Sequence, residues 1–122
     1  MTGFIWVALG GAIGSSARYG VNISAARLLG GDFPWGTLTV NVVGCFVMGV
    51  ITALLHAKIP DDENTRLFLV TGLLGGFTTF SAFSLDFFSL LQRGQTPLAL
   101  GYAMASVVLS VIAVMVGFKA FA

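Results

Sequence analysis

Apolar positions along the chain gather into four blocks separated by short polar or turn-forming stretches. The first block runs from about Gly3 to Gly20, continues more weakly toward Leu29, and carries Arg18 in its later part. The second opens at the turn Asp32-Phe33-Pro34-Trp35 and runs uncharged to the neighbourhood of His56. Pro34 suits a first helical turn, and Trp35 suits a membrane interface. A polar loop from Lys58 to Arg66 follows, then a third block from Leu67 to about Leu91 and a fourth from Pro97 to Phe118. A spanning helix needs about 20 mostly apolar residues, so each block predicts one transmembrane helix. The connections are too short for a soluble domain, and the expectation is a single all-α transmembrane domain of four helices over residues 1–122.

The third block contains an anomaly. Gly72 to Ser84 reads GLLGGFTTFSAFS, with glycines, hydroxyls and phenylalanines where an ordinary span would hold leucine and alanine. Glycine and β-branched threonine weaken a helix, and hydroxyls find no water in lipid. Gly72, Gly75 and Gly76 with Thr78 and Thr79 therefore predict an unwound break midway through this helix. Backbone at such a break must be satisfied by a cavity, an ion or a neighbour. The freed carbonyls of Gly75 and Thr78 are suited to a monovalent cation, and the freed amides beyond them carry positive partial charge at the start of the resumed helix. Phe80 and Phe83 lie three apart, on one face, and an aromatic ring is positive at its edge. They can face an anion without trapping it; the alternative is a pair of ordinary core or lipid-facing rings.

Composition supports the membrane reading, since 57% of residues are hydrophobic and only 9% charged, against about half and a quarter in soluble domains. Six basic residues nearly cancel five acidic ones, with no basic run, so nothing points to nucleic acid. The single cysteine, Cys45, sits in an apolar segment and reads as a small packing residue. No charged n-region or small-residue cleavage site marks a discarded leader, so the first block is expected to remain as a mature span. Four spans put both termini on one side. Lys58, Arg66 and Lys119 then fall on that side and Arg18, Arg27 and Arg93 on the other, a tie that leaves the positive-inside rule without a preference. If Arg18 is functional and left out of the count, a slight bias to the terminal side remains. A small chain that inserts both ways can build an antiparallel homodimer about a two-fold axis in the membrane plane.

The polar groups at membrane depth suggest what such an assembly would carry. The second block holds Thr37, Thr39 and Asn41; the third Thr71, Thr78, Thr79, Ser81, Ser84 and Asp86; the fourth Tyr102, Ser106 and Ser110. The last three are spaced four apart and share one helical stripe. Nearly all are neutral donors, and no intramembrane His or Glu is available to carry a proton. Some of these hydroxyls are expected to bond back to their own helix. A small, hard anion needs several donors to replace its water, whereas a cation route would prefer carbonyls or a carboxylate ring. Arg18 near one membrane face would raise the local anion concentration, or serve as an interfacial anchor. A proton-coupled multidrug exporter is the alternative, with Asp86 as its only candidate carboxylate. An enzyme is not expected, because no nucleophile and base pair, metal cluster or phosphate loop is present.

The run GLLGGFTTFSAFS, the segment WGTLTVNVVGC, the stretch GAIGSSARYG and the ladder Tyr102, Ser106, Ser110 resemble the Fluc (CrcB-type) fluoride channels over nearly the whole chain. The resemblance implies an antiparallel, dual-topology homodimer of four-helix subunits in the bacterial inner membrane, passively exporting F⁻ through two pores and rejecting Cl⁻. It implies a structural Na⁺ at the dimer centre on the main-chain carbonyls of Gly75 and Thr78, and no organic cofactor. It makes Phe80 and Phe83 the ring-edge ligands, Asn41 a pore donor, Tyr102, Ser106 and Ser110 the polar track, and Thr79 and Ser81 neighbouring donors. Arg18 would be a vestibule cation. Asp86 stands where some members carry Glu, an acid kept but shortened.

Overall fold

The computed structural model describes residues 1–57 and 62–122; the Lys58–Asp61 part of the expected loop lies outside the described residues. Helix α1 spans Thr2–Leu29 and α2 spans Trp35–Ala57. Next come α3 (Glu63–Arg66), a π-helical segment (Leu67–Leu74) and α4 (Gly75–Phe77), which follow one another without a gap. After the dipeptide Thr78-Thr79 come α5 (Phe80–Gln92) and α6 (Thr96–Phe121).

The expected polar loop ends earlier than the sequence suggested, because Glu63–Arg66 is helical. Asp62 is the reason: its carboxylate accepts from the Asn64 N–H at 3.3 Å and from the Thr65 hydroxyl at 2.8 Å, capping a helix start whose first turn carries Glu63. The following LFLVTGLL run is wound as a π-helix, with the Gly75 N–H reaching back five residues to the Val70 carbonyl. At α2, the Pro34 carbonyl accepts the Leu38 N–H at 3.2 Å, so the proline sits just outside the first turn.

Two close helix contacts hold these elements. Along α1, a Cβ on Gly10 or Gly14 would overlap the backbone of Phe68 and Leu73 in the π-helical segment, so the small residues of both segments pack within this chain. Helix α2 lies along α6 in the same manner, Gly49 facing the Val114 carbonyl and Gly117 the Phe46 carbonyl. Helix α5 joins α6 through a buried cluster of Leu90, Ala99 and Tyr102.

Outside these contacts the chain is apolar on its surface. Phe4 is 76% exposed, Met104 67% and Val107 60%, the reverse of a water-soluble arrangement. Among the described residues, three stretches are long and apolar enough to cross a membrane: Trp35–His56, Glu63–Gln92 and Thr96–Phe121, with mean hydropathies of 2.2, 1.5 and 2.3. Helix α1, at 28 residues, has the length but not the hydropathy, because Ser15, Ser16, Arg18, Tyr19 and Asn22 interrupt its apolar run from the middle onward.

Candidate functional site

The site is organised by Thr78 and Thr79, whose backbones are extended (φ −88°, ψ 157° and φ −154°, ψ 121°) between α4 and α5. Gly72, Gly75 and Gly76, expected in the unwound stretch, are helical; the threonines alone leave the helix. Their branched side chains favour extended backbone, and Thr79 gains a capping role. Helix α2 approaches closely here because position 44 is glycine: a Cβ there would overlap the Thr78 methyl.

Every backbone group freed at the interruption has to find a partner at membrane depth. In an unbroken helix the Thr79 N–H would bond the Gly75 carbonyl, and the Ala82 N–H the Thr78 carbonyl. Instead the Thr79 N–H donates to Asn41 Oδ1 at 2.8 Å, and the Ala82 N–H donates to Thr79 Oγ1 at 3.1 Å. Asn41 Nδ2 donates back to the Thr79 carbonyl at 3.1 Å, gripping one residue by both its amide and its carbonyl. Arg18 reaches over from α1 and donates Nε to the Gly76 carbonyl at 3.0 Å. Side chains of α1 and α2 thus substitute for the missing ladder, while Gly75 and Thr78 keep carbonyl oxygens whose helical donors are engaged elsewhere. The Thr78 hydroxyl donates to the Leu74 carbonyl of its own helix at 2.9 Å.

Beside the interruption lies a cavity of about 350 Å³. Its polar lining comes from Asn41, Thr78, Thr79, Ser106 and Ser110, its aromatic wall from Phe80 and Phe83, and its aliphatic wall from Val107 and Val111. The Asn41 amide nitrogen carries two hydrogens, of which the Thr79 bond uses one. Ser106 is only 7% exposed, and its buried Oγ has no hydrogen-bond partner among the described residues. An unpaired buried hydroxyl costs about 1–3 kcal/mol. Ser81 stands next to this lining, its Oγ 3.3 Å from Thr79 Oγ1. The Phe80 and Phe83 rings lie 5.6 Å apart and inclined by 39°; Phe80 is 78% exposed on the single chain.

A second cavity, of about 330 Å³, is lined by Asn22, Thr37, Asp86, Ser89 and Arg93. Tyr102 connects the two. Its ring, fully buried, packs 5.1 Å from that of Phe83, and its hydroxyl donates to Asp86 Oδ2 at 3.2 Å. The Asp86 carboxylate is therefore the acceptor of a buried hydroxyl. Arg18 is half-buried and turned to the interruption through its bond to Gly76.

For a metal, the structure offers main-chain oxygens; no cluster of three or more His, Cys, Asp or Glu occurs among the described residues. The Gly75 and Thr78 carbonyls are hard donors suited to a hard cation, but two oxygens from one chain do not close a coordination shell.

A family model described as CrcB-like protein, Camphor Resistance (CrcB), matches residues 5–118. The chain belongs to the CrcB-like family. Relatives named fluoride-specific ion channel FluC include one from Paracoccus denitrificans, 57% identical over 114 residues covering 93% of this chain and 90% of that protein. Another, from Rhizobium johnstonii, is 58% identical over 113 residues, covering 93% and 90%. A third, from Mesorhizobium japonicum, is 49% identical over 117 residues, covering 96% and 94%. Arg18, Asn41, the Thr78-Thr79 interruption, Asp86 and the Tyr102 stripe all lie inside the CrcB match, and with its apolar helices the chain is a multi-pass membrane protein.

Sequence reasoning missed two residues that line these cavities. Cys45, read as packing, is half-buried and lines the first cavity. Its place four residues after Asn41, on the same helical face, was the available signal. Arg93, counted only as an orientation charge, lines the second cavity with Asp86 seven residues before it, again one face of one helix.

Proposed function

We propose that this chain is a fluoride-selective channel, as the names of its relatives suggest, and that it lets F⁻ leave the cell passively. The observation that carries the reading is a cavity beside the interruption with no charged residue in its lining: the Asn41 amide, threonine and serine residues and phenylalanine rings. Fluoride holds its water tightly, so a route through oil must replace that water with donors. Neutral dipoles and ring edges do this without the full charge that would hold the ion in place. The route begins at the cavity of Thr37, Asp86 and Arg93, where the positive side chain draws anions in. It passes Tyr102, Ser106 and Ser110 along one stripe of α6 and the edges of Phe80 and Phe83. Arg18 acts on this route by holding the interruption in shape.

The functional unit in this reading is an antiparallel, dual-topology homodimer with two pores in the bacterial inner membrane, each subunit crossing four times with α1 as the least apolar span. A second copy brings a second pair of Gly75 and Thr78 carbonyls, and four hard oxygens at the dimer centre suit a structural Na⁺. The balanced charges of the loops are compatible with insertion in both directions.

The test is fluoride release from proteoliposomes loaded with potassium fluoride, followed with a fluoride electrode after adding valinomycin and no pH gradient. A channel empties the vesicles under these conditions. Release that requires an imposed proton gradient would point to a coupled exporter working through Asp86.

A further inference from the structure

Tyr102 packs against lining residues of both cavities, Phe83 of the first and Phe33 and Asp86 of the second. Its buried ring has two aromatic neighbours: Phe83 at 5.1 Å, inclined by 41°, and Phe33 at 5.4 Å, edge-on at 85°. In an edge-on pair the positive rim of one ring meets the negative face of the other, so the contact fixes an orientation as well as a distance. Phe33 belongs to neither α5 nor α6. It stands in the connection between α1 and α2, residues 30–34, and packs against the cluster of Leu90, Ala99 and Tyr102 that joins those two helices. Local chemistry holds it there. Pro34 locks its own φ and restricts the backbone of the residue before it. The Trp35 N–H donates to the Phe33 carbonyl at 2.8 Å, closing a three-residue turn about the proline. The Trp35 ring lies 4.6 Å from that of Phe33, so Trp35 and Tyr102 both bear on it.

We propose that Phe33 is a positioning residue of the anion route: its ring holds the Tyr102 side chain so that the phenol hydroxyl stays on Asp86. The Tyr102–Asp86 bond, at 3.2 Å, is already at the long end for an O–H donor and an oxygen acceptor, and a modest swing of the ring breaks it. Without the Phe33 ring there is room for that swing. Asp86, which lines the second cavity, then loses its donor and presents its full negative charge to an incoming anion. The effect on flux rests on the channel reading; the hold of Phe33 on the Tyr102 hydroxyl rests on the packing alone.

The chain has two tyrosines, so Tyr19→Phe, at an exposed position of α1, leaves Tyr102 as the sole tyrosine and serves as the reference protein. The Raman doublet of a tyrosine ring reports whether its hydroxyl donates a hydrogen bond, and fluoride release from the same proteoliposomes reports flux. Adding Phe33→Ala should move the doublet away from that of a donor to a carboxylate and lower release about fivefold, the scale of one lost ring-edge contact. Tyr102→Phe should itself lower release, and Phe33→Ala on top of it should change the rate by less than about twofold, because the hydroxyl that Phe33 holds is gone. Phe33→Leu, which keeps most of the bulk, should fall between, and it stands in for Phe33→Ala if the alanine protein does not fold. A doublet that is the same with and without Phe33, or a loss of release by the same factor in both backgrounds, would each overturn the proposal. Reference vesicles that release no fluoride would sink the channel reading, while the doublet still decides whether Phe33 holds the hydroxyl.

Discussion

Replacing Asn41 with leucine separates the hydrogen bonding of this residue from its volume. The side chain holds Thr79 by two bonds, N–H to Oδ1 at 2.8 Å and Nδ2 to carbonyl at 3.1 Å. Leucine of similar size removes both and leaves the Thr79 amide without an acceptor. That orphaned donor costs about 1–3 kcal/mol, and the second bond contributes about 0.5–1.5 kcal/mol more. A total of about 1.5–4.5 kcal/mol is a large part of the stability of a small domain. Asn41→Leu should therefore lower the thermal midpoint in detergent by several degrees and slow fluoride release, since one donor of the lining is lost as well. Asn41→Asp keeps an acceptor for the Thr79 amide but sets a carboxylate against the Thr79 carbonyl and the anion route. It should recover part of the stability and none of the flux. An unchanged midpoint in Asn41→Leu would refute the reasoning, because the Thr79 amide would then have another partner.

Ser106→Ala removes a hydroxyl that has no partner among the described residues, so the midpoint should stay or rise slightly while fluoride release falls; a fall in stability without a change in release would mean the hydroxyl is structural. Phe80→Ile and Phe83→Ile should each cut release with the dimer intact by cross-linking, and wild-type throughput in both would remove the ring-edge argument. Gly14→Ala drives a methyl into the Leu73 carbonyl and should cost about 1–3 kcal/mol, read as lower yield of folded protein; tolerance would show that α1 can move off the π-helical segment. Assembly in Na⁺-free buffer should weaken the proposed dimer or its activity, and indifference to Na⁺ would count against the proposed Gly75 and Thr78 carbonyl site.

Much of the helical layout could be read from apolar runs because lipid imposes a length and forbids charge. The stripe of Tyr102, Ser106 and Ser110 follows from spacing alone, and the structure puts Ser106 and Ser110 on one cavity with Tyr102 packed on its wall residue Phe83. Periodicity does not reveal helical pitch where every side is greasy, so LFLVTGLL gave no sign of its π winding. The instability of GLLGGFTT was legible, but its distribution was not. Gly72 and Gly76 stay helical against α1, and the break falls at the threonines, where Asn41 and Thr79 supply replacement bonds. The bond from Arg18 to Gly76 joins residues 58 apart, a contact that tertiary packing alone creates. Cys45 was passed over because a lone thiol in an apolar segment has no chemistry of its own until a cavity forms beside it.

The central claim is that neutral dipoles and ring edges stand in for the water around a small anion. Parallel efflux of F⁻ and Cl⁻ from one batch of proteoliposomes tests it most directly. The account predicts rapid, protein-dependent loss of fluoride while chloride stays behind; equal loss of both halides, or retention of both, would contradict it.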